Sequence, residues 1–165
     1  MRGLLCGLAA AFVTAVAVRA DEEKVPLDKV PAAIKEAVKK RFPKAKMAGA
    51  SKEQDDAKKW VYEITLKQDK KNIDVTLTPE GKITTIEQEL AFADLPKAVA
   101  ETFEAKYPKA TYKIVESVSK VKDGKETLEY YEALLVAGDK KTYEVEVLPD
   151  GKFKSATEKK PGDKD

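Results

Sequence analysis

Ser117 and Ser119 each have a lysine three residues on, Lys120 and Lys122, and a serine beside a lysine can form a nucleophile–base pair. That chemistry needs the lysine buried and its pKa depressed. These lysines stand in a charged stretch, so they read as solvated. Other nucleophilic routes lack their parts, because the 165 residues contain no His and a single cysteine, Cys6. That excludes a Ser–His–acid triad, a Cys–His pair, any imidazole or thiolate metal site and any disulfide framework. Carboxylates are left. Glu63, Glu132, Glu144 and Glu146 are expected to share one face of a sheet, and paired carboxylates hydrolyse glycosides when a cleft lined with aromatics holds the sugar between them. The same groups could take a hard cation such as Ca²⁺, but no D-x-D-x-D-G loop is present. A solvated face balanced by lysines is the simpler reading. No catalytic residue, metal ligand or cofactor site is assigned, and the chain is read as a non-enzyme.

Charge adds one local feature. Lys+Arg number 31 against 29 Asp+Glu, and Arg2 and Arg19 account for the excess. From residue 21 onward the signs balance, which argues against nucleic-acid binding. Between Lys29 and Lys46 there are seven basic residues and one acid, Glu36. A basic amphipathic helix can meet an anionic membrane or an acidic partner. Here its apolar stripe is narrow and ends in a proline, and a sheet offers that stripe a better place to be buried.

The first twenty residues have the layout of a signal peptide. Arg2 precedes an apolar run from Leu4 to Val18, Val18-Arg19-Ala20 supplies a cleavage site, and Asp21-Glu22-Glu23-Lys24 opens a polar chain. The run is shorter than the roughly 20 residues of a comfortable membrane span. Export with cleavage near Ala20, to the periplasm or the outside, is expected, with no stable membrane insertion afterwards. An uncleaved anchor is the alternative.

The rest of the chain is a duplication. Residues 30–45 and 95–110 align at an offset of 65, with Pro31/Pro96, Ala33/Ala98, Glu36/Glu101, Pro43/Pro108, Lys44/Lys109 and Ala45/Ala110 identical. Tyr62-Glu63 aligns with Tyr131-Glu132, and Pro79-Glu80-Gly81-Lys82 with Pro149-Asp150-Gly151-Lys152. Each unit opens with a helix. Val30, Ile34, Val38 and Phe42 form one stripe, and Leu95, Val99, Phe103 and Tyr107 the other. Pro31 and Pro96 suit first-turn positions, Asp94 is a candidate cap, and Pro43 and Pro108 stop the helices.

Alternation follows. Trp60, Tyr62, Ile64 and Leu66 are set against Val61, Glu63 and Thr65, and Ile73, Val75 and Leu77 against Asp74 and Thr76. Tyr131, Ala133, Leu135, Tyr143, Val145 and Val147 repeat the pattern, with the Pro-acid-Gly runs as turns. Final strands are expected from Ile83 and Phe153. Tyr112–Val115 is a strand candidate whose counterpart near Met47 is weaker. The fold class is α+β: two tandem α-β-β-β-β units, residues 21–90 and 91–156, each a helix packed on an antiparallel sheet, with 157–165 as a disordered tail. A short, partly apolar connection favours packed halves.

The helix pattern over 94–108 (DLPKAVAETFEAKYP), then YYEALL and YEVEVLPDGKF, with a first copy in VPAAIKEAVKKRFP, WVYEITL and IDVTLTPEGKI, resembles the PepSY-like family. This group is described as similar in fold to the β-lactamase-inhibitor protein. The resemblance covers residues 25–157. It implies small exported or periplasmic binding or inhibitory modules, often in tandem and without catalytic residues. It also implies that the two sheets join into one curved sheet whose open face meets a protein. The inhibitor relative is disulfide-bonded and this chain departs from it.

If Tyr131 faces the helix, Tyr130 points to the other side of the sheet with Glu132 and Leu134, and Val61 is its counterpart beside Glu63. Val61, Glu63, Tyr130, Glu132 and Leu134 are therefore the candidate partner-binding residues, with burial against the other half as the competing arrangement. Trp60, Tyr62, Tyr131 and Tyr143 are assigned mostly to the core. The functional expectation is an exported non-enzymatic protein-binding module that uses the open sheet face, with inhibition of an envelope or secreted enzyme as one form of it. The alternative is a cation- or ligand-sensing module on the same carboxylates.

Overall fold

A computed structural model describes residues 23–55 and 57–160. The expected signal peptide, residues 1–20, and the last five residues of the expected tail lie outside that range. Nine strands form one antiparallel sheet in strict chain order. A two-residue β1 (Glu23–Lys24) starts it, and helix α1 (Ala32–Arg41) is followed by β2 (Lys46–Gln54), β3 (Trp60–Gln68), β4 (Lys71–Leu77) and β5 (Ile83–Glu89). Helix α2 (Lys97–Lys106) precedes β6 (Thr111–Lys122), β7 (Lys125–Val136), β8 (Thr142–Val147) and β9 (Phe153–Lys159). The α-β-β-β-β repeat is present twice. The halves meet by strand pairing, Thr85–Glu89 of β5 running against Lys120–Glu116 of β6.

The helices start and stop where their prolines require. Pro31 and Pro96 are the cap residues, and their carbonyls accept the first helical N–H bonds, from Ile34 and Lys35 and from Val99 and Ala100. Asp94 makes no cap bond. It closes a short 3-10 turn, Phe92–Asp94, and lies 3.6 Å from Lys71 of the other unit. The cap position is Pro96, two residues further on, so the Asp94 carboxylate is out of place for the free N–H groups of the first turn.

Both apolar stripes are buried as their spacing requires. Val30, Ile34 and Val38 pack on Ile64, Leu66, Ile73, Val75, Leu77 and Ile86. Leu95, Val99 and Phe103 pack on Val115, Ala133, Leu135, Val145 and Val147. Gly81 and Gly151, each at φ +83°, bring the Pro-acid-Gly turns against the first helical turns. A Cβ on Gly81 would lie 2.6 Å from the Ala33 carbonyl oxygen, and one on Gly151 2.8 Å from the Ala98 Cβ. The identical Ala–Gly pairs of the repeat are thus one packing contact made twice.

Three further features differ from the sequence reading. β9 continues through Lys159, so Thr157–Lys159 are strand residues rather than tail, held by pairs such as Thr142 with Lys159. Trp60 is 44 % exposed, because β3 begins there, opposite Gln54 and beyond the helix, with the Lys52 ammonium 4.4 Å over its ring. β6 runs twelve residues, and its far end and the start of β7 reach the first unit: Val121 of β6 packs on the first core, and Arg41 pairs with Glu126 of β7 at 2.6 Å.

Candidate functional site

Strand registers place both helices on one side of the sheet. Ile86 of the first core pairs with Ser119, Gln88 with Ser117, and Ser117 with Tyr131, which packs on the second core. In strands, alternate residues face opposite sides. Ser117 and Ser119 therefore face the helices, while Lys120 and Lys122 face away. The odd spacing that put each lysine near its serine in sequence separates the two across the sheet, and no Ser–Lys pair forms there.

The opposite face carries no helix, and its residues fall into rows. Glu89 of β5 pairs with Glu116, Glu116 with Glu132 and Glu132 with Glu146, so glutamate stands opposite glutamate across four strands. Beside it runs Thr65–Asp74–Glu87–Val118–Tyr130. On one side lie Glu63, Thr76, Thr85 and Lys120, and on the other Ile114, Leu134, Glu144 and Thr157. Like charges directly opposite destabilise a sheet, so nothing in folding calls for the glutamate row.

Its ends have partners. The Asn72 backbone N–H donates to Glu89 at 2.9 Å. Glu146 accepts from the Ser155 hydroxyl at 2.6 Å and lies 2.8 Å from the Lys154 ammonium, and Lys159 pairs with Glu144 at 2.6 Å. The middle has no such partner among the described residues. Burial, and then the charges of Glu87, Asp74, Glu89 and Glu63, push the Glu116 carboxyl up to about 8. Burial, with Glu144, Glu87, Glu146 and Glu116, does the same to Glu132, also to about 8. Burial also raises Asp74, as Glu89 does, while a hydrogen bond to Thr65 acts against them. The Tyr130 hydroxyl is raised by burial and by the surrounding glutamates. No group of three or more His, Cys, Asp or Glu side chains among the described residues is placed to hold a metal ion.

The candidate residues sort unevenly. Tyr130, Glu132 and Leu134 are neighbours on the open side of β7, all half-buried. Glu63 belongs to the same face on β3, four strands away, or about 19 Å at ordinary strand spacing. Val61 is only 5 % exposed and presents almost no surface. Asp74, Glu87, Glu89 and Glu116 were not among the expected face residues. Asp74 shows its alternation in sequence, but Glu116 depends on the register of β6, which sequence leaves open. The basic stretch lies elsewhere: α1 packs on the helix-bearing side, with Lys35 bonded to the Asp28 carbonyl at 3.1 Å and Arg41 to Glu126.

A family model described as "Putative beta-lactamase-inhibitor-like, PepSY-like" matches residues 16–85 and 84–133. The chain belongs to the PepSY-like family. The two matches follow the two units. No curated protein matches it. Solved structures share the PepSY-like chain's fold at low identity. A structure from Bacteroides eggerthii, described as a putative periplasmic protein, is 19% identical with a TM-score of 0.63, covering 78% of this chain and 88% of its own. A DUF2874 family protein from Bacteroides uniformis is 18% identical, with a TM-score of 0.61 and the same coverage, 78% and 88%. A BLIP-like protein from Bacteroides fragilis is 20% identical with a TM-score of 0.59, covering 84% of this chain and 91% of that one.

Proposed function

We propose that the chain is an exported, non-enzymatic binding module whose open sheet face engages a basic surface of an envelope or secreted protein, in the manner of an inhibitor. The observation that carries this reading is the row Glu89–Glu116–Glu132–Glu146, whose two middle carboxyls have no paired cation among the described residues and lie on an uncovered sheet face. With their carboxyls pushed up to about 8, Glu116 and Glu132 keep their protons near neutral pH, and a cationic partner would favour the ionised form and draw those protons off on binding. Tyr130 and Leu134 add aromatic and aliphatic surface beside it, the residue mix of interface anchors.

Export is supported by the apolar Met1–Ala20 segment and by the periplasmic naming of the B. eggerthii structure. Among the described residues no helix is long and apolar enough to cross a membrane. Inhibition is supported by the family description and the BLIP-like fold. A cation-sensing role for the same carboxylates has no convergent ligand set among the described residues to rest on.

The test is affinity capture from an envelope extract with the wild-type protein and with a Glu116→Lys/Glu132→Lys variant that still folds. A protein retained by the first and absent from the second supports the reading. Equal retention by both, or none by either, removes it.

A further inference from the structure

The two units provide an internal comparison on the open face. Each has a β-bulge at the same point of its last hairpin, where the register shifts between Thr76 and Leu77 and again between Glu146 and Val147. The extra residue is Thr84 in the first unit and Lys154 in the second. In the first unit Thr84 donates its hydroxyl to the Thr76 carbonyl at 3.2 Å, and the matching position on β3 is the buried Val61. In the second unit these three positions are Lys154, Glu146 and Tyr130. The Lys154 ammonium lies 2.8 Å from a Glu146 carboxylate oxygen and 3.5 Å from the centre of the Tyr130 ring. The bulge forms equally well with threonine, threonine and valine. The cation, carboxylate and aromatic ring are therefore particular to the second unit and not demanded by the fold.

A cation between an aromatic face and a carboxylate is a recognition geometry in its own right. Lys154 reaches it on a flexible four-carbon stem from an edge strand, with its side chain 39% exposed against 18% for Glu146. A lysine so placed can leave. Its departure would strip the counter-ion from a mostly covered carboxylate unless another cation arrived. We infer that Tyr130 and Glu146 form a cation-recognition subsite, filled by Lys154 in the free protein and taken over by a lysine or arginine side chain of the protein partner. This deepens the binding-face reading and rests on it. The surrounding glutamates favour such an incoming cation, and Lys154 keeps the subsite closed to weakly charged surfaces.

The experiment titrates the full-length protein with hexalysine at fixed ionic strength, following the Lys154 ε-methylene and Tyr130 ring signals by NMR. At saturation the Lys154 protons should lose their ring-current shift. Tyr130→Leu and Glu146→Gln should each weaken binding about tenfold. Lys154→Met should strengthen it several-fold more than Lys120→Met, which removes the same charge from the same face away from the ring. Lys154 signals that stay ring-shifted at saturation, or equal gains from the two methionine variants, overturn the subsite. If binding falls with Glu116→Gln and Glu132→Gln but not with Tyr130→Leu or Glu146→Gln, the subsite fails and the binding face stands. If none of the four substitutions changes it, both fail.

Discussion

Glu116 on β6 and Glu132 on β7 stand directly opposite one another on the uncovered side of the sheet, and every charge that shifts them is another carboxylate. Their folded pKa of about 8 lies above the ordinary carboxylate value of 4.5. Below pH 4.5 both groups are protonated whether the chain is folded or not, and they cost nothing. As pH rises from there to 8, the unfolded chain ionises freely while the native face resists, so stability falls across that window and levels off above it. Thermal melts from pH 5 to pH 8.5 should show this decline. Glu116→Gln and Glu132→Gln should each recover at least about 1 kcal/mol at pH 8.5 and almost nothing near pH 4.5. A variant that melts like wild type at pH 8.5 contradicts the strained pair.

Gly81 and Gly151 are a matched test of the duplicated turn-to-helix contact. Alanine at either must take a left-handed φ and push against the Ala33 or Ala98 turn. Each substitution should cost about 2–4 kcal/mol in urea unfolding. Alanine at Gly124, which has open space around it, should cost only the backbone share of about 1–2 kcal/mol.

The β3–β4 hairpin turns on Asp69 and Lys70, both at positive φ, 51° and 69°. This is the geometry of a two-residue hairpin that favours Asn-Gly. Lys70→Gly should raise stability by about 1 kcal/mol, read as a higher urea midpoint at unchanged slope.

Trp60 and Phe103 separate what sequence shows from what it hides. Phe103, on the sheet-facing side of α2, is fully buried, and Phe103→Ala should cost about 3–5 kcal/mol. Trp60→Ala should cost under about 1 kcal/mol, because the ring lies exposed at the end of β3. Alternation alone placed Trp60 in the core. Periodicity reports which side of a strand a residue is on, but not whether the helix reaches that far along it.

The same distinction runs through the whole molecule. The helices, the turns and the duplication were legible because each rests on local chemistry: four-residue apolar spacing, proline stops, and glycine where φ is positive. The open face was legible only in part. Tyr130, Glu132, Glu144 and Glu146 lie on strands whose alternation is clear. Glu116 meets Glu132 through the β6–β7 register, and Glu89 joins through the β5–β6 pairing between units, accompanied by tertiary contacts such as Val121 on the first core and Arg41 with Glu126. Val61 fell on the expected face but is covered, which sequence symmetry with Tyr130 could not show. The β9 strand was cut short in sequence because Thr157–Lys159 is polar, yet its backbone pairs and Lys159 is held by Glu144.

The most direct measurement of the central claim is the affinity of the captured partner for three forms of the protein, by calorimetry at two salt concentrations. These are wild type, Glu116→Lys/Glu132→Lys on the open face, and Lys39→Glu/Lys40→Glu on α1. The expected result is a loss of a hundredfold or more, about 2.7 kcal/mol, for the face variant only, with wild-type binding weakened by salt. Undiminished binding by the face variant, or a larger loss from the α1 variant, would contradict an acidic sheet face as the binding surface.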